Sequence, residues 1–156
     1  MSKLSHKIPP PIVAALFGLV MWGLAFLEPS FELLSLSFTL RAILALALVL
    51  IGLFFCVSGV ISFRKAKTTV NPLRPETASA LVTSGIYQVT RNPMYLGFCF
   101  ILAAWSLYLA SVVSLIGVIG YMFYIQTLQI VPEELALITL FGEEFKAYQS
   151  EVRRWI

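Results

Sequence analysis

The apolar positions of this chain come in long blocks instead of an amphipathic rhythm. Ile12 to Leu27 is apolar throughout, between Pro9-Pro10-Pro11 and Glu28. Ala42 to Phe63 lies between Arg41 and Arg64 with no charge inside it, and from Met94 to Pro132 there is no Asp, Glu, Lys, Arg or His. Crossing a hydrocarbon core of ~30 Å takes ~20 apolar residues, a length the first block approaches and the second meets. As one helix at ~1.5 Å per residue, the third block would measure roughly 55 Å, so it must fold back into a hairpin of two helices. Ser111 and Ser114 interrupt the heavy residues and put the turn between Tyr108 and Ser114. Such a break is tolerated only near the interface or inside protein, because lipid cannot satisfy free backbone groups. The pattern predicts an all-α integral membrane protein, one membrane domain over 1–156 with about four transmembrane helices at 12–27, 42–63, 94–110 and 112–131.

Beyond the last span, Pro132 to Ile156 reads as a helical tail. Phe141, Phe145, Tyr148 and Val152 share one face, and Gly142 marks a joint. That face can lie against the bundle or along the headgroups. The Arg64–Asn92 segment is polar, with Asn71-Pro72, Arg74-Pro75 and Ser84-Gly85 as turns. The first block leads on to Glu28-Pro29-Ser30 without an A-x-A-like site, so it reads as a retained helix instead of a cleaved leader.

Composition supports the membrane class: 59% of residues are hydrophobic and 12% charged, against about 25% charged in ordinary soluble domains. The 156 residues hold one helical domain and leave no room for an appended soluble catalytic domain. With four spans, Lys3, Lys7, Arg64, Lys65, Lys67, Arg74, Arg91, Lys146, Arg153 and Arg154 fall on one side, and Arg41 falls on the other beside Glu28 and Glu32. This bias places both termini, the Arg64–Asn92 loop and the tail in the cytoplasm. The expected location is a bacterial or archaeal inner membrane. Cys56 and Cys99 lie inside apolar blocks without metal or redox spacing and read as packing residues. A proton-coupled carrier buries ionisable groups at mid-membrane, and the four spans contain none.

The informative polar residues gather on the cytoplasmic side. Gly85-Ile86-Tyr87 and then Arg91-Asn92-Pro93-Met94-Tyr95-Leu96-Gly97 stand at the mouth of the third span. Gln126, Gln129 and Pro132-Glu133-Glu134 stand at the end of the fourth. A hairpin brings the two segments together as a small polar pocket beside the acyl region. Each residue also has a plainer reading. Arg91 can be a topological anchor, Tyr95 an interfacial belt residue, and Arg153 and Arg154 headgroup contacts. His6 can be a solvated tail residue. Glu133 and Glu134 can simply favour a helix begun by Pro132. Adjacent carboxylates so near the apolar boundary are costly unless paired, which favours a bound cation or a partner arginine.

Leu81-Val82-Thr83-Ser84-Gly85-Ile86-Tyr87, the Arg91–Gly97 run, Glu133-Glu134 and Phe141-Gly142-Glu143-Glu144-Phe145 with Tyr148 carry a resemblance. In order and spacing they are similar to the isoprenylcysteine carboxyl methyltransferases and the related phospholipid methyltransferases, over roughly residues 68 to 156. The resemblance implies an S-adenosylmethionine-dependent methyltransferase that binds its cofactor at the cytoplasmic face, under the loop and the carboxyl-terminal helix. It implies a cofactor site lined by Ser79, Ala80, Leu81, Val82, Tyr87, Asn92, Pro93, Met94, Tyr95 and Glu133, with no metal. In that site Glu133 would pair the cofactor ammonium, tyrosine faces would sit by the sulfonium, and backbone N–H groups near Asn92 would hold the carboxylate. Glu134 is the nearest candidate base for an amine acceptor. Gln129 stands where the eukaryotic enzymes place an arginine facing the substrate carboxylate, and Asn92 stands where the family usually has a histidine. A glutamine cannot neutralise a carboxylate, and an asparagine can hydrogen-bond but not titrate. The implied partners are membrane lipids and a lipophilic small-molecule or lipid substrate, with no nucleic acid. Two other readings keep the scaffold: a phospholipid amine methyltransferase, and a non-catalytic membrane protein such as an assembly factor.

Overall fold

The computed structural model describes residues 8–27, 36–67 and 79–156. Lys3, His6, Lys7, Glu28, Glu32, Arg74 and the turns at Asn71-Pro72 and Arg74-Pro75 lie outside the described residues.

Helix α1 (Pro10–Leu27) opens on two prolines, whose missing N–H groups a helix start does not need. Helix α2 (Phe38–Lys65) begins at Ser37, whose hydroxyl accepts from the Leu40 N–H at 3.3 Å, and ends with Arg64 and Lys65 in its last turn. Cations there complement the helix dipole. Helix α3 (Pro93–Leu109) is apolar and stops at Ala110, which takes a left-handed conformation at φ 55°.

The hairpin turn falls where Ser111 and Ser114 place it. Ser106 Oγ donates to the Ser111 carbonyl at 2.8 Å, Ser114 Oγ lies 2.6 Å from Ser106 Oγ, and the Ser114 N–H donates to Ser111 Oγ at 3.0 Å. All three serines are buried, so the turn satisfies its polar groups from within the protein.

The end of the fourth span departs from expectation. Helix α4 (Leu115–Ile125) does not stop before Pro132. It passes through a π turn (Gln126–Ile130) into α5 (Val131–Phe141), forming one continuous helix of 27 residues. A proline breaks a helix by removing an N–H and crowding the carbonyl one turn earlier. The wider π turn just before Pro132 relieves that crowding, and the helix continues. Gly142, at φ 53°, makes the joint instead, and α6 (Glu143–Glu151) follows.

Among the described residues three helices are long and apolar enough to cross a membrane, namely α1, α2 and the α4–α5 rod, and α3 is a shorter apolar helix of 17 residues. The architecture is that of an all-helical membrane protein. Val13, Met21, Tyr95, Cys99, Leu102, Tyr121, Ile125 and Ile130 form the core where α1, α3 and α4 meet. Helix α2 packs most extensively on α3, through small residues that let the backbones approach. A Cβ on Gly97 would lie 2.6 Å from the Gly52 carbonyl oxygen and would also meet the Cys56 thiol. Replacing Gly97 with Ala should therefore destabilise the bundle by about 1–3 kcal/mol, the usual range for overpacking. Unfolding in mild detergent followed by circular dichroism measures this, and an unchanged midpoint would show that the contact yields freely.

Candidate functional site

The hairpin register puts the start of α3 beside the junction of α4 and α5. Tyr95, in the first turn of α3, donates its hydroxyl to Glu133 Oε1 at 2.5 Å. Tyr95 is buried, and Glu133 is half-buried. One turn earlier along the rod, Gln129 sits in the π turn with only 3% of its surface exposed. Its Nε2 donates to the Ile8 carbonyl at 2.8 Å and ties the rod to the start of α1. Its Oε1 is buried and has no hydrogen-bond partner among the described residues.

Glu133 and Glu134 are neighbours in sequence, but the helix turns them toward different surroundings. Glu134 is 8% exposed and faces two arginines. Arg91 Nη2 lies 2.9 Å from its Oε1, and Arg154 donates through Nε at 3.1 Å and through Nη2 to Oε2 at 2.6 Å. Arg91 also donates through Nη1 to the carbonyls of Gln149, at 3.1 Å, and Val152. The Arg91 N–H meets the Arg153 carbonyl at 3.0 Å, and the Arg154 carbonyl accepts from Thr90 Oγ1 and Asn92 Nδ2 at 3.2 and 2.9 Å. Trp155 Nε1 donates to Gln126 Oε1 at 3.1 Å. The tail is thus stitched across the loop before α3, and its hydrogen bonds to Glu134 hold the Arg154 guanidinium above its ordinary pKa range.

These contacts change three expectations. Paired arginines engage both oxygens of Glu134, which leaves the carboxylate poorly placed to accept a proton. Arg154 is paired with Glu134, whereas Arg153 is the exposed one of the pair. The Asn92 N–H donates to Thr90 Oγ1 at 3.1 Å, so it is not open to a ligand carboxylate. Helix geometry leaves the next N–H groups, those of Met94 and Tyr95, without intrahelical acceptors, and Pro93 has none to offer. Thr90, fully buried, escaped the sequence reading because a lone threonine in a polar loop carries no pattern. Trp155 escaped it because no periodicity places it.

Several of the remaining candidates gather in a second cluster. Leu81, Val82 and Tyr87 pack with Phe63, Phe141, Phe145 and Tyr148, so α6 folds over the loop by the apolar face that periodicity marked. Tyr148 donates its hydroxyl to the Tyr87 carbonyl at 2.6 Å, and the Tyr87 ring meets Phe63 edge to face at 5.4 Å. Burial raises the Tyr148 phenol above its ordinary range. Burial, then the neighbouring Tyr148 and Glu133, raises that of Tyr87 as well. Leu81, Val82 and Tyr87 with the aromatic residues of the tail make up the loop half of the site. Ala80 is half-buried at its edge and Ser79 is exposed. A carboxylate held by a phenol, with an aromatic ring beside it, is suited to a cationic ligand.

An apolar groove of about 620 Å³ lies between α1 and α3, lined by Ala14, Gly18 and Trp22 on one helix and Phe98, Ile101 and Trp105 on the other. It starts at Pro11, close in sequence to the Ile8 carbonyl that Gln129 holds.

Residues 40–144 match the family described as phospholipid methyltransferase, a stretch that contains every candidate residue named above except those of the tail. Over 126 residues the chain is 27% identical to the protein-S-isoprenylcysteine O-methyltransferase of Schizosaccharomyces pombe, covering 80% of this chain and 52% of that protein. The chain thus spans about half the length of this relative. A second relative, an uncharacterized protein of Haemophilus influenzae, is 41% identical over 63 residues, which are 40% of this chain and 100% of that protein. No solved structure matches.

Proposed function

The chain belongs to the phospholipid methyltransferase family, and from that premise we propose that it transfers the methyl group of S-adenosylmethionine to a lipophilic acceptor at the cytoplasmic face of its membrane. The observation that carries this reading is Glu133: a half-buried residue whose carboxylate is oriented by Tyr95, where the hairpin ends meet. Arg64, Lys65 and Lys67 at the end of α2, with Arg91 before α3, support the cytoplasmic assignment of that end.

The residues present fit the cofactor. Glu133 pairs its ammonium, the first-turn N–H groups of Met94 and Tyr95 meet its carboxylate, and the Tyr87 and Tyr95 rings favour its sulfonium. Leu81 and Val82 form the apolar wall and Ser79 and Ala80 the outer edge, while Asn92 and Pro93 hold the start of α3 in place. When bound, S-adenosylmethionine supplies an electrophilic methyl group. The protein's own contribution is to position the acceptor in line and to exclude water under the stitched tail. The groove between α1 and α3 suits the hydrocarbon part of the acceptor, because its lining is apolar throughout.

Calorimetric titration of the purified protein in detergent with S-adenosylhomocysteine tests the proposal. Micromolar binding is the expected result, and a well-folded protein that releases no binding heat would remove the cofactor site and leave a non-catalytic scaffold.

A further inference from the structure

Arg154 carries an inference about the cofactor site that rests on the reading above and deepens it. Neighbouring residues on a helix point about 100° apart, so whatever fixes the direction of Glu134 also fixes that of Glu133. The rod needs such a fix at this point. The π turn at Gln126–Ile130 shifts every later side chain around the axis, and Glu133 and Glu134 are the first acidic residues after it. Arg91 reaches one oxygen of Glu134, Oε1, at 2.9 Å, a single contact about which the carboxylate can turn. Arg154 supplies what that contact lacks. Its Nε lies 3.1 Å from Oε1 and its Nη2 2.6 Å from Oε2, a fork that locks the plane of the carboxylate. The backbone of the same residue is held from the other side, where its carbonyl accepts from Thr90 Oγ1 at 3.2 Å and Asn92 Nδ2 at 2.9 Å. Arg154 is therefore a brace between the loop before α3 and the rod. The elements it joins carry the two partners of one contact, Tyr95 shortly after Asn92 and Glu133 directly before Glu134.

We propose that Arg154 is a positioning residue for the cofactor: by gripping both oxygens of Glu134 it sets the rotation of α5 and aims Glu133 at the ammonium of S-adenosylmethionine. It acts through Glu133 and not on the ligand. Its side chain is 32% exposed, and Arg91 still neutralises Glu134 without it, so its removal should change the fold little. What its removal changes is the direction of the neighbouring carboxylate.

A double-mutant cycle tests this, with S-adenosylhomocysteine titrated into the full chain in detergent. Arg154→Gln should weaken binding about tenfold when Glu133 is present and less than about twofold once Glu133 is replaced by Gln, because no carboxylate is then left to aim. Arg154→Lys keeps the charge but loses the fork, so it should lose nearly as much, and it runs the same cycle if Arg154→Gln does not fold. Methylthioadenosine, which lacks the amino-acid end of S-adenosylhomocysteine, should bind wild type and Arg154→Gln with the same affinity. A generally loosened fold would weaken both ligands alike. Equal losses in the two backgrounds, full rescue by Arg154→Lys, or parallel loss of methylthioadenosine would overturn the inference and leave Arg154 as a tie for the tail. In each of those cases wild type still binds S-adenosylhomocysteine, and the methyltransferase reading stands. Wild type that binds neither ligand overturns that reading and the inference with it.

Discussion

Replacing Glu133 with Gln should weaken S-adenosylhomocysteine binding by about a hundredfold or more, with little change in fold. Glutamine preserves the length of the side chain and an oxygen to accept from the Tyr95 hydroxyl, so the local hydrogen bond survives. What disappears is the negative charge. Truncating one partner of a buried, hydrogen-bonded charge pair costs about 2–5 kcal/mol, much of it from leaving the other charge unpaired in a low dielectric. Glu134 cannot substitute, because its oxygens face Arg91 and Arg154 and turning it outward would abandon two guanidinium groups. Tyr95→Phe gives the matching control. It keeps the charge and loses the orienting hydroxyl, so the loss should be about tenfold, the scale of one charge-assisted bond. Calorimetry on the three proteins measures both effects. Unchanged affinity in Glu133→Gln would show that the ammonium is held elsewhere and would leave Tyr95–Glu133 as a structural contact.

The split between two adjacent glutamates marks how far the sequence could be read. That Glu133-Glu134 needed a cation or an arginine follows from charge near an apolar boundary, and Arg91 was close enough along the hairpin to be a candidate. Which glutamate took which partner depends on the rotation of the helix at that point. The π turn before it adds a residue to the turn and shifts every later side chain around the axis. Nothing in Gln-Thr-Leu-Gln-Ile announces a π turn, so neither the shift nor the survival of the helix past Pro132 was legible. The blocks, the hairpin turn at Ser111–Ser114 and the apolar face at Phe145 and Tyr148 were legible, because each rests on composition or period alone. The stitching of Arg153, Arg154 and Trp155 onto the loop was not. It runs through backbone carbonyls, which every residue possesses and no sequence pattern reports.

The second large effect follows from that stitching. Replacing Glu134 with Leu should cost about 3–5 kcal/mol, the range for breaking a buried ion pair by removing one partner. Arg91 keeps its bonds to Gln149 and Val152, so it cannot swing out to water without releasing the tail, and its charge would remain inside with nothing opposite. Glu134→Gln should cost less, because the amide oxygen still accepts from one guanidinium. A general base would give the opposite ranking: Glu134→Gln would abolish methyl transfer at unchanged stability. For an anchor, stability and activity fall together, and Leu does more harm than Gln. Unfolding midpoints in detergent, read beside limited proteolysis of Glu143–Ile156 and a methyl-transfer assay, distinguish the two. Accelerated cleavage of the tail in Glu134→Leu is the expected result, since the carboxylate is the one charge that both Arg91 and Arg154 close upon. An intact tail with lost transfer in Glu134→Gln would return the residue to the chemistry.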